Sequence, residues 1–173
     1  AQSLGLAGAE AGDDASYAYV GVVTPFPGAG IGEGWAARLW ADRLTYTYET
    51  GGTEVEAEAG GGEIAAVRQW SGQWGYSNAS LGARYRDTSL TPDDVFNRSR
   101  GARWDAALQL DGRAAVIQHW ALLWFASHQF EREATFARLG LEREYCRYRI
   151  GADVTRDWDS SYGATRAGVT ASW

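Results

Sequence analysis

The residues closest to a catalytic set lie in one short stretch around the second histidine. Ser127 precedes His128, and Glu131 and Glu133 follow, so the residue types of a serine nucleophile with a histidine base are present. Neighbouring residues of a β-strand point to opposite faces, which separates Ser127 from His128. His119 shares a face with Ser127 but lies about 26 Å away along a strand, at ~3.3 Å per residue. We therefore expect no catalytic residues here and interpret the stretch as polar side chains near a strand end.

Two pairs of carboxylates could bind calcium or act in glycoside hydrolysis. Asp93 and Asp94 are adjacent, and Glu56 and Glu58 lie two residues apart. Acidic residues in an exposed loop or at a barrel rim are the simpler interpretation. The sequence contains no zinc-ligand spacing, no phosphate-binding glycine loop and no Gly-x-Ser-x-Gly motif. We predict no enzymatic activity, no metal and no cofactor.

These residues must be positioned by elements with a period of two, because helical periodicity is hard to find in the chain. From Tyr162 to Trp173, small apolar residues share one face with Trp173, and Arg166 lies on the other. A final strand that ends on an aromatic residue resembles the C-terminal strand of bacterial outer-membrane β-barrels. No run approaches the ~18 apolar residues of a membrane helix, so a membrane protein with this sequence must be a barrel.

Turn residues divide the chain into ten predicted strands, an even number as in bacterial outer-membrane barrels. We predict an all-β fold, an antiparallel up-and-down transmembrane β-barrel, with residues 1–173 as a single domain. Gly60 to Gly62 is predicted to form a bulge or a sharp bend of the barrel wall, Asp111 and Gly112 a turn, and Thr88–Arg100 the longest loop. Ala114–Phe130 is apolar on both faces, and merging or splitting it would give eight or twelve strands. The ten strands are Leu4–Ala11, Ser16–Thr24, Trp35–Thr50, Glu54–Trp70, Trp74–Asp87, Gly101–Asp111, Ala114–Phe130, Thr135–Glu142, Tyr145–Val154 and Tyr162–Trp173.

The two faces of these strands differ in charge. One face is mostly Ala, Leu, Val, Ile and aromatic residues, more apolar surface than a small soluble sandwich could bury, and we expect it to contact lipid. The other face carries both charge signs, and isolated buried charges cost several kcal/mol. We therefore predict a ladder of Arg–carboxylate contacts that fills the lumen, with Asp105 and Glu142 among the acceptors. The predicted lumen charge network is Arg38, Asp42, Glu63, Arg84, Arg103, Asp105, Arg138, Glu142, Arg147, Arg149, Asp153 and Arg166.

Composition limits the partners and the compartment. The net charge is −6 and no basic cluster stands outside the strands, which disfavours nucleic-acid binding. Nine Trp and nine Tyr residues are typical of the aromatic girdles of a barrel, although carbohydrate-binding proteins use them too. The opening Ala1-Gln2 is typical of a mature end after signal-peptide removal. A location in the bacterial outer membrane, in contact with lipid and lipopolysaccharide, is predicted.

Two motifs in the first two thirds of the chain carry a family resemblance. Gly34-Trp-Ala-Ala-Arg-Leu-Trp-Ala-Asp42 is the first, and the second runs from Ala83-Arg-Tyr-Arg through Leu90-Thr-Pro-Asp-Asp94 to Arg100-Gly101. With the opening Gly-Ala-Glu and Tyr-Ala-Tyr-Val-Gly patterns, they resemble the cellulose biosynthesis protein BcsS family. The resemblance implies an envelope protein of bacterial cellulose production. It makes the loop residues binding-site candidates, with a pinned loop at the rim as the alternative: Arg86, Asp87, Asp93, Asp94, Asn97 and Arg100.

Three functions remain open on the sequence alone. The first is a non-enzymatic outer-membrane barrel that assists or docks the cellulose or exopolysaccharide machinery, with cellulose or cellulose synthase components as partners. The second is a scaffold barrel that packs against other envelope proteins or against copies of itself. The third is an outer-membrane enzyme acting on lipid or glycan, which would require a same-facing Ser, His and acid.

Overall fold

The alternating segments form ten β-strands in the computed structural model, which describes residues 2–12, 15–95, 97, 99–158 and 163–172. No helix long and apolar enough to cross a membrane occurs among these residues. The strands are β1 Leu4–Ala11, β2 Ala15–Pro25, β3 Gly34–Thr50, β4 Thr53–Gly72, β5 Gly75–Thr91, β6 Gly101–Ile117, β7 Trp120–Gln129, β8 Ala134–Tyr145, β9 Tyr148–Trp158 and β10 Gly163–Ser172.

All ten strands belong to one antiparallel sheet, and each pairs with its neighbours in the sequence. Short hairpin turns permit this order; Gly51 and Gly52 connect β3 to β4 with φ of 58° and 79°, a conformation that glycine adopts without strain. The sheet curls into a half-barrel whose edges are β1 and β10. The predicted all-β, antiparallel architecture with ten strands is confirmed.

The turn predicted at Asp111 and Gly112 is absent, because β6 continues through both residues. Pairing with β5 extends to Gly75↔Ala114, so β6 runs on to Ile117. The chain instead reverses at Gln118 and His119, where His119 has a φ of 65°. The long apolar segment predicted from Ala114 to Phe130 is therefore the end of β6 followed by β7.

Of the two alternatives predicted at Gly60 to Gly62, a bulge or a sharp bend, the bulge is absent. The register of β4 with β3 and β5 is continuous there, with Asp42↔Gly61 and Gly61↔Arg86 among the pairs. A Cβ on Gly61 would lie 2.5 Å from the backbone oxygen of Tyr85, so the glycine lets β5 approach closely. As the alternation is unbroken, Glu56 and Glu58 lie on the face opposite Glu63.

The loop after β5 is shorter than predicted. Strand β5 continues to Thr91, and the pairs Glu56↔Thr91 and Thr88↔Gly101 place Thr88 within the sheet. The predicted Thr88–Arg100 loop is therefore confined to residues 92–100, of which 96 and 98 lie outside the described residues.

The final predicted strand extends beyond the described residues at both ends. Its described part, Gly163–Ser172, is β10, whereas Tyr162 and Trp173 lie outside the description. Strand β10 pairs with β9 along its whole length, from Gly163↔Trp158 to Ser172↔Arg149. This pairing places Arg166 beside Thr155 on the concave face.

Candidate functional site: the charged concave face

The concave face of the half-barrel holds a cavity of about 650 Å³ lined by aliphatic, aromatic, amide and charged side chains. Small residues on this face leave room for the long charged side chains of neighbouring strands, which cover them. Ala57, Ala59 and Ala65 of β4 are almost fully buried. The alternation of each strand then aims every second residue at the cavity. Its lining includes Tyr17, Trp40, Phe125, Arg84, Gln109 and Asp153.

Arg38 lies at the centre of one polar cluster that spans four strands. Its Nη2 donates to Glu63 Oε1 at 2.5 Å, and lies 3.1 Å from Ser80 Oγ and 3.2 Å from Gln109 Oε1. Gln109 in turn donates to Asp111 at 2.9 Å, and Asn78 donates to the same carboxylate at 2.8 Å. The three acceptors around Arg38 share the two N–H groups of its Nη2, whereas Nε has no acceptor among the described residues.

Asp42 is the acceptor of a second cluster and is almost completely buried. Its carboxylate is 1% exposed and accepts from Arg84 Nη2 at 3.0 and 3.1 Å. Arg86 Nη2 contacts the same carboxylate. The cross-strand register explains why these side chains meet. Asp42 pairs with Gly61, and Gly61 pairs with Arg86. Because Gly61 has no side chain, Asp42 and Arg86 can contact each other across it.

Two further ion pairs connect the later strands. Arg113 Nη2 lies 2.9 Å from Glu142 Oε1, and Arg138 Nη2 lies 2.8 Å from Asp153 Oδ2. Arg113 belongs to the charged network of the concave face, but the sequence did not predict it, because β6 was expected to end in a turn at Asp111 and Gly112. Continuing the alternation of β6 past Gly112 would have placed it on the charged face.

Asp105 lies on the concave face but has a different partner from the one predicted. Its Oδ1 accepts a hydrogen bond from the backbone N–H of Glu131 at 2.9 Å, in the turn after β7, rather than from an arginine. Its Oδ2 is buried, and no described residue donates a hydrogen bond to it. Arg132 of the same turn is near: burial, and next the guanidinium of Arg86, lower the pKa of Arg132, while Asp105 raises it.

The remaining predicted network residues are less enclosed. Arg103, Arg149 and Arg166 lie on the concave face by register but are exposed, and the described part of the structure shows no salt bridge for them. Arg147 was placed on this face wrongly. It is exposed in the two-residue turn between β8 and β9, beside Cys146 with a φ of 52°, because β8 continues to Tyr145 and β9 begins at Tyr148.

The candidate loop residues separate into three locations. Arg86 belongs to the Asp42 cluster, whereas Asp87 is exposed on the convex face of β5. Asp94 and Asn97 are joined through Tyr48, whose hydroxyl donates to Asp94 Oδ2 at 3.0 Å and accepts from Asn97 Nδ2 at 2.7 Å. Arg100 pairs with Asp93 at 2.8 Å, both about half exposed. The Tyr48 contacts hold Asp94 and Asn97 against the end of β3, as in the pinned-loop alternative.

The serine and histidines do not converge. Ser127 and His128 occupy opposite faces of β7, and His128 Nδ1 is hydrogen-bonded to Thr135 Oγ1 at 2.8 Å. His119 lies in the β6–β7 turn. In the described ranges, no group of three His, Cys, Asp or Glu residues is arranged to hold a metal.

Aromatic residues on the convex face cluster toward the two ends of the strands. The first belt lies toward the ends that carry the chain termini, and in it Arg68 is 5.8 Å from the Trp35 ring and 5.7 Å from the Trp70 ring. Arg143 similarly lies 5.4 Å from Trp120 and 4.6 Å from Tyr145. We define the first belt as Trp35, Trp70, Trp120, Tyr145 and Tyr148, and the second, toward the opposite ends, as Tyr85, Trp104 and Trp158.

Comparison with known proteins identifies the family. A family model described as cellulose biosynthesis protein BcsS matches residues 6–173. No curated protein sequence and no solved structure was found to match the chain. The match covers nearly the whole sequence, including the last third, which lies beyond the two motifs that carry the resemblance. The chain therefore belongs to the cellulose biosynthesis protein BcsS family, and the process in which it takes part is cellulose biosynthesis.

Proposed function

We propose that this protein is a non-enzymatic β-barrel of the bacterial outer membrane that serves as an accessory or docking component of cellulose production. The observation that carries the proposal is the convex face, which is apolar between two aromatic belts. The charged concave face and the family membership support the same function.

The distance between the belts fits the apolar layer of an outer membrane. On β9, Tyr148 of the first belt and Trp158 of the second are the first and last of eleven residues. Ten steps of ~3.3 Å give about 33 Å along the strand. Tilted by ~40°, as strands of membrane barrels are, this length spans about 25 Å, the height of the apolar band of such barrels.

The residues between the belts are large, apolar and unusually exposed. Leu81 is 59% exposed, Leu139 57% and Ile150 55%. Contiguous exposed apolar patches larger than a few hundred Å² are rare on soluble monomers and mark contact with membranes or proteins. We infer that this band contacts lipid. The apolar residues form a band that continues over successive strands, whereas a binding site for one protein partner would be a localised patch.

The concave face supports a docking role more than a chemical one. Its carboxylates are held by arginines, amides and backbone N–H groups, and Ser127 and His128 cannot act together from opposite faces. Paired charges of this kind hold the side chains of the concave face in place, but they supply neither a nucleophile nor a base. The chain would therefore contribute a binding surface to the machinery of cellulose production, with cellulose synthase components or cellulose itself as partner.

Deleting and restoring the gene tests both halves of the proposal. We expect deletion to lower the cellulose yield, and the restored protein to sediment with the outer membrane and to migrate faster on a denaturing gel when unheated. Leu108→Arg should prevent both membrane assembly and restoration of the yield, whereas Glu56→Arg, outside the apolar band, should do neither. A fully functional protein recovered from the soluble periplasm would overturn the membrane assignment. An unchanged yield after deletion would overturn the accessory role.

A further inference from the structure

Four arginines approach each other at the end of the concave face that lies beside the β7–β8 turn. We name Arg84, Arg86, Arg103 and Arg132 the arginine cluster. The first three belong to β5 and β6, where Arg84 pairs with Asp105 and Arg86 with Arg103 in the register. Arg132 lies in the turn after β7, whose Glu131 contacts Asp105, and burial together with the charges of Arg86, Arg103 and Arg84 lowers the pKa of Arg132.

The carboxylates that face this cluster from the strands are Asp42 and Asp105, and they are largely engaged. Asp42 accepts from both Arg84 and Arg86, and one oxygen of Asp105 accepts from the backbone of Glu131. If the free oxygen of Asp105 took up Arg132, four guanidinium groups would still face two carboxylates. The cluster therefore keeps an excess of positive charge.

Two features of the geometry are unfavourable unless an anion is present. Arg86 and Arg103 are directly opposite each other on neighbouring strands, an arrangement in which like charges destabilise a sheet. Arg84 Nε, Arg86 Nε and Arg132 Nη2 are buried donors for which the described residues offer no acceptor; Arg38 Nε and Arg113 Nε share this state elsewhere on the concave face, but only in the cluster do several such donors accompany an excess of arginines. Unsatisfied buried donors are rare in native proteins and each requires an explanation.

We propose that the arginine cluster is a binding site for an oxyanion, a phosphate or carboxylate group. Such a group would sit between Arg86 and Arg103, accept hydrogen bonds from the free guanidinium N–H groups and remove the like-charge contact. Planar guanidinium groups match the two oxygens of these anions in a fork that lysine cannot form. Unmodified cellulose is neutral, so the site would select a charged ligand rather than the plain glucan.

The anion could be a small solute or a charged substituent on a polysaccharide chain, and titration of the detergent-solubilised full chain separates these sources. The probes are inorganic phosphate, a carboxymethylated cello-oligosaccharide and the neutral oligosaccharide of equal length, each measured by isothermal titration at constant ionic strength set with chloride. We expect phosphate and the carboxymethylated oligosaccharide to bind and the neutral one not to bind. The tighter of the two binders identifies the source.

Variants of the two arginines outside the Asp42 pair test the location of the site. Arg103→Gln and Arg132→Gln should each weaken anion binding about tenfold, the effect of losing one charge-assisted hydrogen bond. Arg43→Gln is the matched control, because Arg43 is on the convex face, where it pairs with Glu58 at 2.7 Å. Equal losses in all three variants, or no phosphate binding above the chloride background, would overturn the site. Neither outcome bears on membrane assembly, which the unheated gel shift reports separately.

Discussion

Replacing Asp42 by asparagine is the sharpest test of the concave network. The substitution keeps the shape of the side chain and removes its charge. Asp42 is 1% exposed, and its partners Arg84 and Arg86 are 19% and 16% exposed, so solvent screens these contacts weakly. Breaking a buried ion pair by neutralising one partner typically costs 3–5 kcal/mol, because the other charge remains buried.

Two guanidinium groups lose their counter-charge here, although the amide oxygen of asparagine still accepts one hydrogen bond. We therefore expect Asp42→Asn to lower the free energy of unfolding by about 3 kcal/mol or more. Glu58→Gln provides the matched control. Glu58 pairs with Arg43 on the convex face, where the side chains are 55% and 67% exposed, and such a pair contributes only ~0–1 kcal/mol.

Urea unfolding in detergent micelles, followed by tryptophan fluorescence, measures both variants against the wild type. The denaturant slope must be the same for all three proteins if the midpoints are to report stability alone. If Asp42→Asn and Glu58→Gln differed by less than about 1 kcal/mol, burial would not govern the strength of these ion pairs.

Three further predictions concern the convex face, the sheet and the lumen. Leu108→Arg, at a position 47% exposed, should cost ~2–4 kcal/mol in lipid vesicles, where Glu56→Arg should cost little; equal folding yields would contradict the assigned membrane face. Gly61→Ala should destabilise by ~1–3 kcal/mol in the same urea assay because its Cβ would meet the Tyr85 oxygen, whereas Gly60→Ala has nothing within 4 Å and should be nearly neutral. The barrel in a planar bilayer should pass far less current than a large open porin, because paired side chains occupy the concave face; porin-like conductance would show that the lumen is open.

Alternation along the strands allowed the architecture to be predicted from the sequence. Strands such as β3, β6 and β8 carry one charged and one apolar face, so the facing of Arg38, Asp42 and Leu108 follows from a period of two, while the turn residues between the alternating segments give the strand count. The turn at Asp111 and Gly112 was wrong because Asp-Gly is a common hairpin signal, while the pairing of β6 with β5 continues beyond it. The pairing of β6 with β5 outweighs the local preference of Asp-Gly for a turn, and this pairing cannot be read from a single sequence.

The partners within the charged face were harder to predict than its membership. Which acid meets which arginine depends on the register of neighbouring strands and on where a glycine such as Gly61 lets two strands approach. The contact of Asp105 with the backbone of Glu131 depends on the path of the β7–β8 turn. The same turn brings in Arg132, and no periodic pattern indicates a residue outside the strands.

The exclusive use of arginine connects the two faces of the sheet. All sixteen basic residues are arginine. On the concave face, Arg38 uses one guanidinium for contacts with Glu63, Ser80 and Gln109, three acceptors on three strands. On the convex face, Arg68 and Arg143 lie against the aromatic rings of the first belt, and Arg43 is paired with Glu58 near the opposite ends of the strands. A lysine ammonium is more strongly hydrated and cannot form planar or forked contacts, so it would fit neither place as well. The composition is therefore explained by the surroundings that the proposed barrel gives its arginines, a crowded charged face inside and an aromatic interface outside.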